Sequence, residues 1–273
     1  MTFALREVRA KSIICKSGLP GADFVINPYV GCMHGCKYCY ARFMKRFTGH
    51  AEPWGCFVDV KTNAPDLVPQ DAASLRGKNI VVGSVTDPYQ PLEARFRVTA
   101  RVLEKLIPLQ PKLCVLTKSD LVVRDAKLFS AFDDCTVAIS ISTLDPALAR
   151  ELEPLAPPPL QRIRALKSLK KAGVHTALFI SPIIPGVTDW RAIARAASGI
   201  ADEFWFENLN LYPAIAGVMR AFVKRQAPAV AVVFDAAYAK GSRYWPGEER
   251  AARAFCRERG LAAKLYFHHS RKE

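Results

Sequence analysis

The sequence predicts an α/β fold: a parallel barrel or open barrel followed by a mostly helical C-terminal extension. Three observations carry this expectation. Short apolar runs alternate with amphipathic stretches, the alternation repeats about six times, and 273 residues suit one barrel-sized domain. The expected division is a core over 1–210 and an extension over 211–273.

The first strand is Phe24-Val25-Ile26, which leads into a cysteine-rich loop. Ile80-Val81-Val82-Gly83, Leu113-Cys114-Val115-Leu116, Val137-Ala138-Ile139-Ser140-Ile141 and Ala177-Leu178-Phe179-Ile180 follow, and Glu203-Phe204-Trp205-Phe206-Glu207 is the sixth. Continuous apolar runs of this kind suit parallel strands buried on both faces. Phe57 to Lys61 reads as an edge strand. The intervening helices are expected over 99–106, 125–132, 160–172 and 189–198, the last two stopping at Gly173 and Gly199. Glu153 to Pro159 holds four prolines and is expected to be a loop. Beyond Tyr212, helices are expected over 229–240 and 247–259, with a last short strand over 264–267.

Half the residues are apolar, enough for a substantial core. No apolar run approaches a membrane span, and the first residues lack a signal-peptide pattern, so a cytoplasmic chain with no membrane association is expected. Lys plus Arg number 39 and Asp plus Glu 25, a formal charge of +14. Such a balance attracts polyanions, nucleic acid first among them, although scattered solubilising charge gives the same total. Of eight cysteines, three are clustered. In a cytosolic chain, clustered cysteines indicate a metal rather than disulfides. Cys114 and Cys135 lie in apolar runs and read as small buried hydrophobes.

The cluster is Gly31-Cys32-Met33-His34-Gly35-Cys36-Lys37-Tyr38-Cys39-Tyr40, with spacing C-x3-C-x2-C. Thiolates hold iron–sulfur clusters, and three on one tight loop can reach three corners of an Fe4S4 cube. The fourth iron then keeps an open position for a substrate. A zinc site is the competing assignment. It needs a fourth ligand, His34 or His50, and structural zinc more often takes two separated pairs.

This loop, with an aromatic before its third cysteine, resembles the radical S-adenosylmethionine (SAM) superfamily. Asn27-Pro28-Tyr29-Val30, Tyr38-Cys39-Tyr40 and Thr86-Asp87-Pro88-Tyr89-Gln90-Pro91-Leu92-Glu93 resemble its spore photoproduct lyase-like, or "DNA repair photolyase", group, over about Lys11 to Asn210. The resemblance implies a partial (β/α)6 barrel of the radical SAM type. It also implies a [4Fe–4S] cluster on Cys32, Cys36 and Cys39, and SAM as second cofactor. By the same resemblance Tyr38 meets the SAM adenine, with a backbone contact from Ile183. Ser84, Thr86 and Asp87 receive the amino group, Lys118 and Ser140 the carboxylate, and Tyr40 belongs to a radical relay. All fall at strand C-terminal ends, where barrels and open α/β sheets bind ligands. Spore photoproduct lyase carries a cysteine just before its Thr-Ser-Asp segment. Here Val82 to Asp87 has none, so efficient repair of that lesion is not expected.

The implied activity is reductive cleavage of SAM to a 5′-deoxyadenosyl radical, fed by an external flavodoxin- or ferredoxin-like electron donor. DNA or RNA is the candidate substrate. A radical SAM enzyme of small molecules or peptides, and a non-catalytic iron–sulfur or zinc module that binds nucleic acid, are the alternatives.

Overall fold

A computed structural model describes residues 3–226 and 228–268. Along the chain its strands are β1 (Ala4–Val8), β2 (Ile14–Lys16), β3 (Phe24–Ile26), β4 (Tyr29–Val30), β5 (Phe57–Lys61), β6 (Asn79–Val82), β7 (Lys112–Thr117), β8 (Cys135–Ser140), β9 (His175–Ile183), β10 (Glu203–Asn208) and β11 (Ala262–Tyr266). The helices are α1 (Glu93–Phe96), α2 (Val98–Leu106), α3 (Ala126–Phe129), α4 (Pro146–Leu152), α5 (Pro159–Lys171), α6 (Trp190–Ala196), α7 (Pro213–Gln226), α8 (Pro228–Ala237) and α9 (Tyr244–Glu258). No helix among the described residues is long and apolar enough to cross a membrane.

Eight strands form one sheet in the order β11-β10-β9-β8-β7-β6-β3-β2, parallel throughout except for β2. The six expected strands are all present, and β11 extends the sheet beyond β10. A side sheet, β1-β5-β4, stands beside the cysteine loop.

Alternation along each strand sorts the residues onto two faces. Val137 and Ile139 pack in the main core with Leu166 and Leu169 of α5. Ala138 lies on the opposite face with Ala177, Phe179, Trp205 and Tyr266. The last three rings meet edge to face at 5.9–6.2 Å and fill this face. The next same-face residues toward the C-terminal ends are polar: Ser140 on β8, Ser181 on β9 and Glu207 on β10. A polar rim therefore stands above an aromatic floor.

Two local expectations are corrected. The stretch 125–132 is not one helix: a 3-10 turn, Asp120–Asp125, precedes the short α3. Asp125 does not cap α3, because its carboxylate turns inward to Tyr89 Oη at 2.9 Å and to Arg124. Pro159 is not loop but the first residue of α5. Its fixed φ suits that position, where the missing N–H has no partner to lose.

Candidate functional site

The cysteine loop follows β4 and folds back on itself, with Gly35 N donating to Cys32 O and Cys39 N to Cys36 O. Cys32 and Cys36 are buried and Cys39 is half-buried. Gly35 and Gly55 take left-handed φ of 60° and 96°, and a Cβ on Gly55 would stand 2.8 Å from Gly35 Cα. The loop is pressed backbone to backbone against the segment before β5. Gly55→Ala should add about 1–2 kcal/mol of left-handed strain and displace the loop. We expect a lower Tm and a several-fold loss of bound iron. Iron at the wild-type level would show that this contact is dispensable.

The segment Thr86 to Glu93 fastens the loop from the other side. Thr86 Oγ1 donates to Gly31 O at 2.6 Å, and Gln90 Oε1 accepts from Met33 N at 2.9 Å. Asp87 Oδ1 accepts from Thr117 Oγ1 and Tyr89 N, and Oδ2 from Lys118 N, at 2.7–2.9 Å. His34 Nδ1 stands 3.3 Å from Oδ2. Burial pushes the Asp87 carboxyl up, but His34, Thr117 and the Lys118 N–H outweigh it and hold it at about 2. Three hydrogen bonds and the His34 contact make Asp87 an internal anchor that ties the Thr86 to Glu93 segment to the end of β7. Ser84 Oγ accepts from Asn27, and its carbonyl accepts from the Tyr40 phenol.

A second fastening comes from the proline-rich loop. Tyr38 Oη and Ser142 Oγ donate to Glu153, which is ion-paired with Arg162. Glu153 and Arg162 are both 1% exposed. Arg162 also donates to Pro157 O at 2.7 Å and to Ser140 O at 3.1 Å. One buried pair therefore ties the Tyr38 phenol to the end of β8. Gln90, Glu153 and Arg162 are not singled out by the sequence reading.

Lys118, Ser140 and Tyr38 come together. Lys118 Nζ donates to Ser140 Oγ at 3.0 Å and lies 5.6 Å from the centroid of the Tyr38 ring. Among the described residues no carboxylate forms an ion pair with this ammonium. Ser140 Oγ donates to Ser181 O, and Ser181 Oγ to Glu207 at 2.6 Å. His268 Nε2 is 3.3 Å from Glu207, so this residue docks on the rim. Ile183 is buried at the end of β9 with its carbonyl bonded to Leu209 N, and Ile184 packs with Cys36 and Tyr38.

Tyr40 begins a 3-10 helix, Tyr40–Phe47. Its ring is 43% exposed, while its hydroxyl is turned inward to Ser84 O. Burial of that end raises the phenol pKa, with Cys39 and Glu207 adding to the effect. A cavity of about 440 Å³ opens between Cys39, Tyr40 and Phe43 on one side and residues 212–215 on the other.

Burial raises all three thiol pKa values, and Lys118 pulls those of Cys36 and Cys39 back down. Among the described residues no three His, Cys, Asp or Glu side chains converge around one point as ligands of a single ion would. Among the described residues, three buried polar side-chain atoms lack a hydrogen-bond partner: His34 Nε2, Arg42 Nε and Trp54 Nε1. All three adjoin the loop. Arg42 Nη2 bonds Cys36 O, and the Trp54 indole stands close enough to Cys39 to favour its thiolate without closing a normal hydrogen bond. The unused Arg42 and Trp54 N–H donors beside thiols suit a sulfur-rich cluster, whose sulfurs accept such bonds. The residues fit the group.

Fold and site together define an open α/β barrel that presents three thiols and an unpaired ammonium at its strand ends. The Radical SAM superfamily profile matches residues 26–196, and the chain belongs to that superfamily. The uncharacterized protein MJ0683 of Methanocaldococcus jannaschii is 41% identical over 205 residues, covering 75% of this chain and 77% of that one. An uncharacterized protein, ORF301, of Acidianus two-tailed virus is 32% identical over 171 residues, 59% of this chain and 56% of its own. Among solved structures, spore photoproduct lyase complexed with dinucleoside spore photoproduct superposes with a TM-score of 0.66 at 16% identity, covering 96% of this chain and 82% of that one. Streptococcus suis SuiB bound to S-adenosylmethionine gives 0.56 at 14% identity, covering 98% of this chain and 51% of that one. Both are likenesses of fold.

Proposed function

We propose that this chain holds a [4Fe–4S] cluster on Cys32, Cys36 and Cys39, binds SAM beside it, and acts on nucleic acid. When bound, cluster and SAM supply a reductive cleavage that yields the 5′-deoxyadenosyl radical, with the electron coming from a flavodoxin- or ferredoxin-like donor. The observation that carries the reading is the Lys118 ammonium. It lies over Tyr38 and near the Cys36 and Cys39 thiols, with only a hydroxyl as hydrogen-bond partner. A half-buried cation with no anion beside it among the described residues marks a place where a ligand carboxylate can complete the site.

The chain's own residues then have separable tasks. Lys118 and Ser140 take the carboxylate, Ser84 and Thr86 frame the amino group, and Tyr38 and Ile183 flank the adenine. Tyr40 stands between the loop and the 440 Å³ cavity, placed to face substrate. The aromatic floor of Phe179, Trp205 and Tyr266 keeps water from below. Nucleic acid is favoured by the +14 charge and by the fold shared with a protein solved in complex with dinucleoside spore photoproduct. With no cysteine in Val82 to Asp87, the proposal does not extend to spore photoproduct repair.

Anaerobic reconstitution with SAM and dithionite tests the reading. 5′-Deoxyadenosine should form, and added DNA or RNA should gain a modified product. Lys118→Ala should weaken SAM binding by about 2 kcal/mol, the low end for removing one partner of a desolvated charge pair. Calorimetry showing unchanged SAM affinity would remove Lys118 from the site.

A further inference from the structure

The 3-10 helix after the third cysteine, Tyr40-Ala41-Arg42-Phe43-Met44-Lys45-Arg46-Phe47, does something the cluster does not require. It leaves three large rings in solvent: Tyr40 and Phe43 are each 43% exposed and Phe47 is 66% exposed. Tyr212, 41% exposed, faces Tyr40 and Phe43 across the 440 Å³ cavity. The rings follow one another: the Tyr40 and Phe43 centroids are 6.4 Å apart, and the Arg46 guanidinium lies 5.7 Å from Phe43 and 4.6 Å from Phe47. Arg46 has no acidic partner among the described residues. From Tyr40 to Ala51 the chain has three Lys or Arg and no acid.

Exposed aromatic rings normally pack away from water. A row of them with an unpaired guanidinium among the rings fits a partner that offers flat π faces at intervals and negative charge between them. Unpaired nucleotides have that chemistry: each base stacks on a ring or a guanidinium, and each phosphate meets a cation. A duplex hides its base faces and would meet only the charges. An acidic redox protein would also complement the charge, but has no comparable use for a row of separate rings.

We infer that the strip from Tyr40 to Phe47, with Tyr212 opposite, is a stacking platform for an unpaired nucleic-acid strand, leading it to the cavity over Cys39. The inference rests on the nucleic-acid reading above and specifies how the strand is held.

The test uses anaerobically reconstituted protein and fluorescence anisotropy with labelled dT15, U15 and a 15-base-pair duplex at two salt concentrations. Wild type should bind both single strands at least tenfold more tightly than the duplex. Phe43→Ala/Phe47→Ala should lose about tenfold or more on dT15 and U15 and little on the duplex. Arg46→Glu should weaken every probe and reduce the salt dependence. If wild type binds no nucleic acid, the nucleic-acid reading itself fails. If wild type binds the single strands and the double variant binds them equally well, that reading stands and the platform is overturned. Two further results would also overturn it: the variants keep strand affinity but slow cluster reduction by reduced flavodoxin and not by dithionite, or they abolish a concentration-dependent dimer instead.

Discussion

Cys32→Ala, Cys36→Ala and Cys39→Ala are each expected to bring bound iron from about four per chain to near zero. The magnitude follows from the geometry. All three thiols sit on one loop, and burial disfavours each thiolate unless iron shares its charge. A two-thiol remainder leaves a corner of the cube unheld beside buried donors that have nothing else to bond. Cys15, Cys56, Cys114, Cys135 and Cys256 lie outside the loop, and their replacement should leave iron, sulfide and the visible absorbance of the cluster intact. Zinc as the sole metal after anaerobic purification and reconstitution would overturn the assignment.

Arg162→Met should cost about 3–5 kcal/mol, because it leaves the Glu153 carboxylate buried without its counter-charge. Glu153 is 1% exposed, so water cannot replace the guanidinium without opening the core. Removing both charges, as in Arg162→Met/Glu153→Leu, should restore much of the stability, since well-packed apolar pairs replace buried ion pairs at little cost. SAM affinity should not recover with it. Tyr38 Oη and Ser142 Oγ both lose their acceptor in the double variant, and Ser140 O loses its donor. Urea unfolding and SAM calorimetry on the same samples separate the two effects. Wild-type SAM affinity in the double variant would show that the network supports the core and does not position Tyr38.

The strands were legible because parallel strands covered on both faces must be continuously apolar, as Val137 to Ile139 and Ala177 to Ile180 are. Lys118 was legible because a charge directly after such a run needs a reason. The cysteine spacing was local and could be seen at once. Gln90, Glu153 and Arg162 were not legible, for a common physical reason: their partners are distant in sequence. Gln90 reaches Met33 across 57 positions and Glu153 reaches Tyr38 across 115. No periodicity encodes such a pairing, and Glu153 sat at the head of four prolines that marked it as loop. Asp87 shows the converse limit. Its place in the chain suggests a ligand contact, while the Thr117 and Lys118 donors that hold it come from about 30 positions away and show only in the folded chain.

The strand order also sets a timetable. From β7 to β11 each strand pairs with the one made just before it, so this run of the main sheet can be laid down in the order of synthesis. The cysteine loop emerges early, its first clasp arrives with Thr86 to Gln90, and its second only with Glu153 and Arg162. A nascent chain passes through a stage at which the three thiols are gathered but not yet sealed, while more than 100 residues remain to be made. If the loop takes up iron and sulfide, that interval would leave it more open to them than the finished fold does.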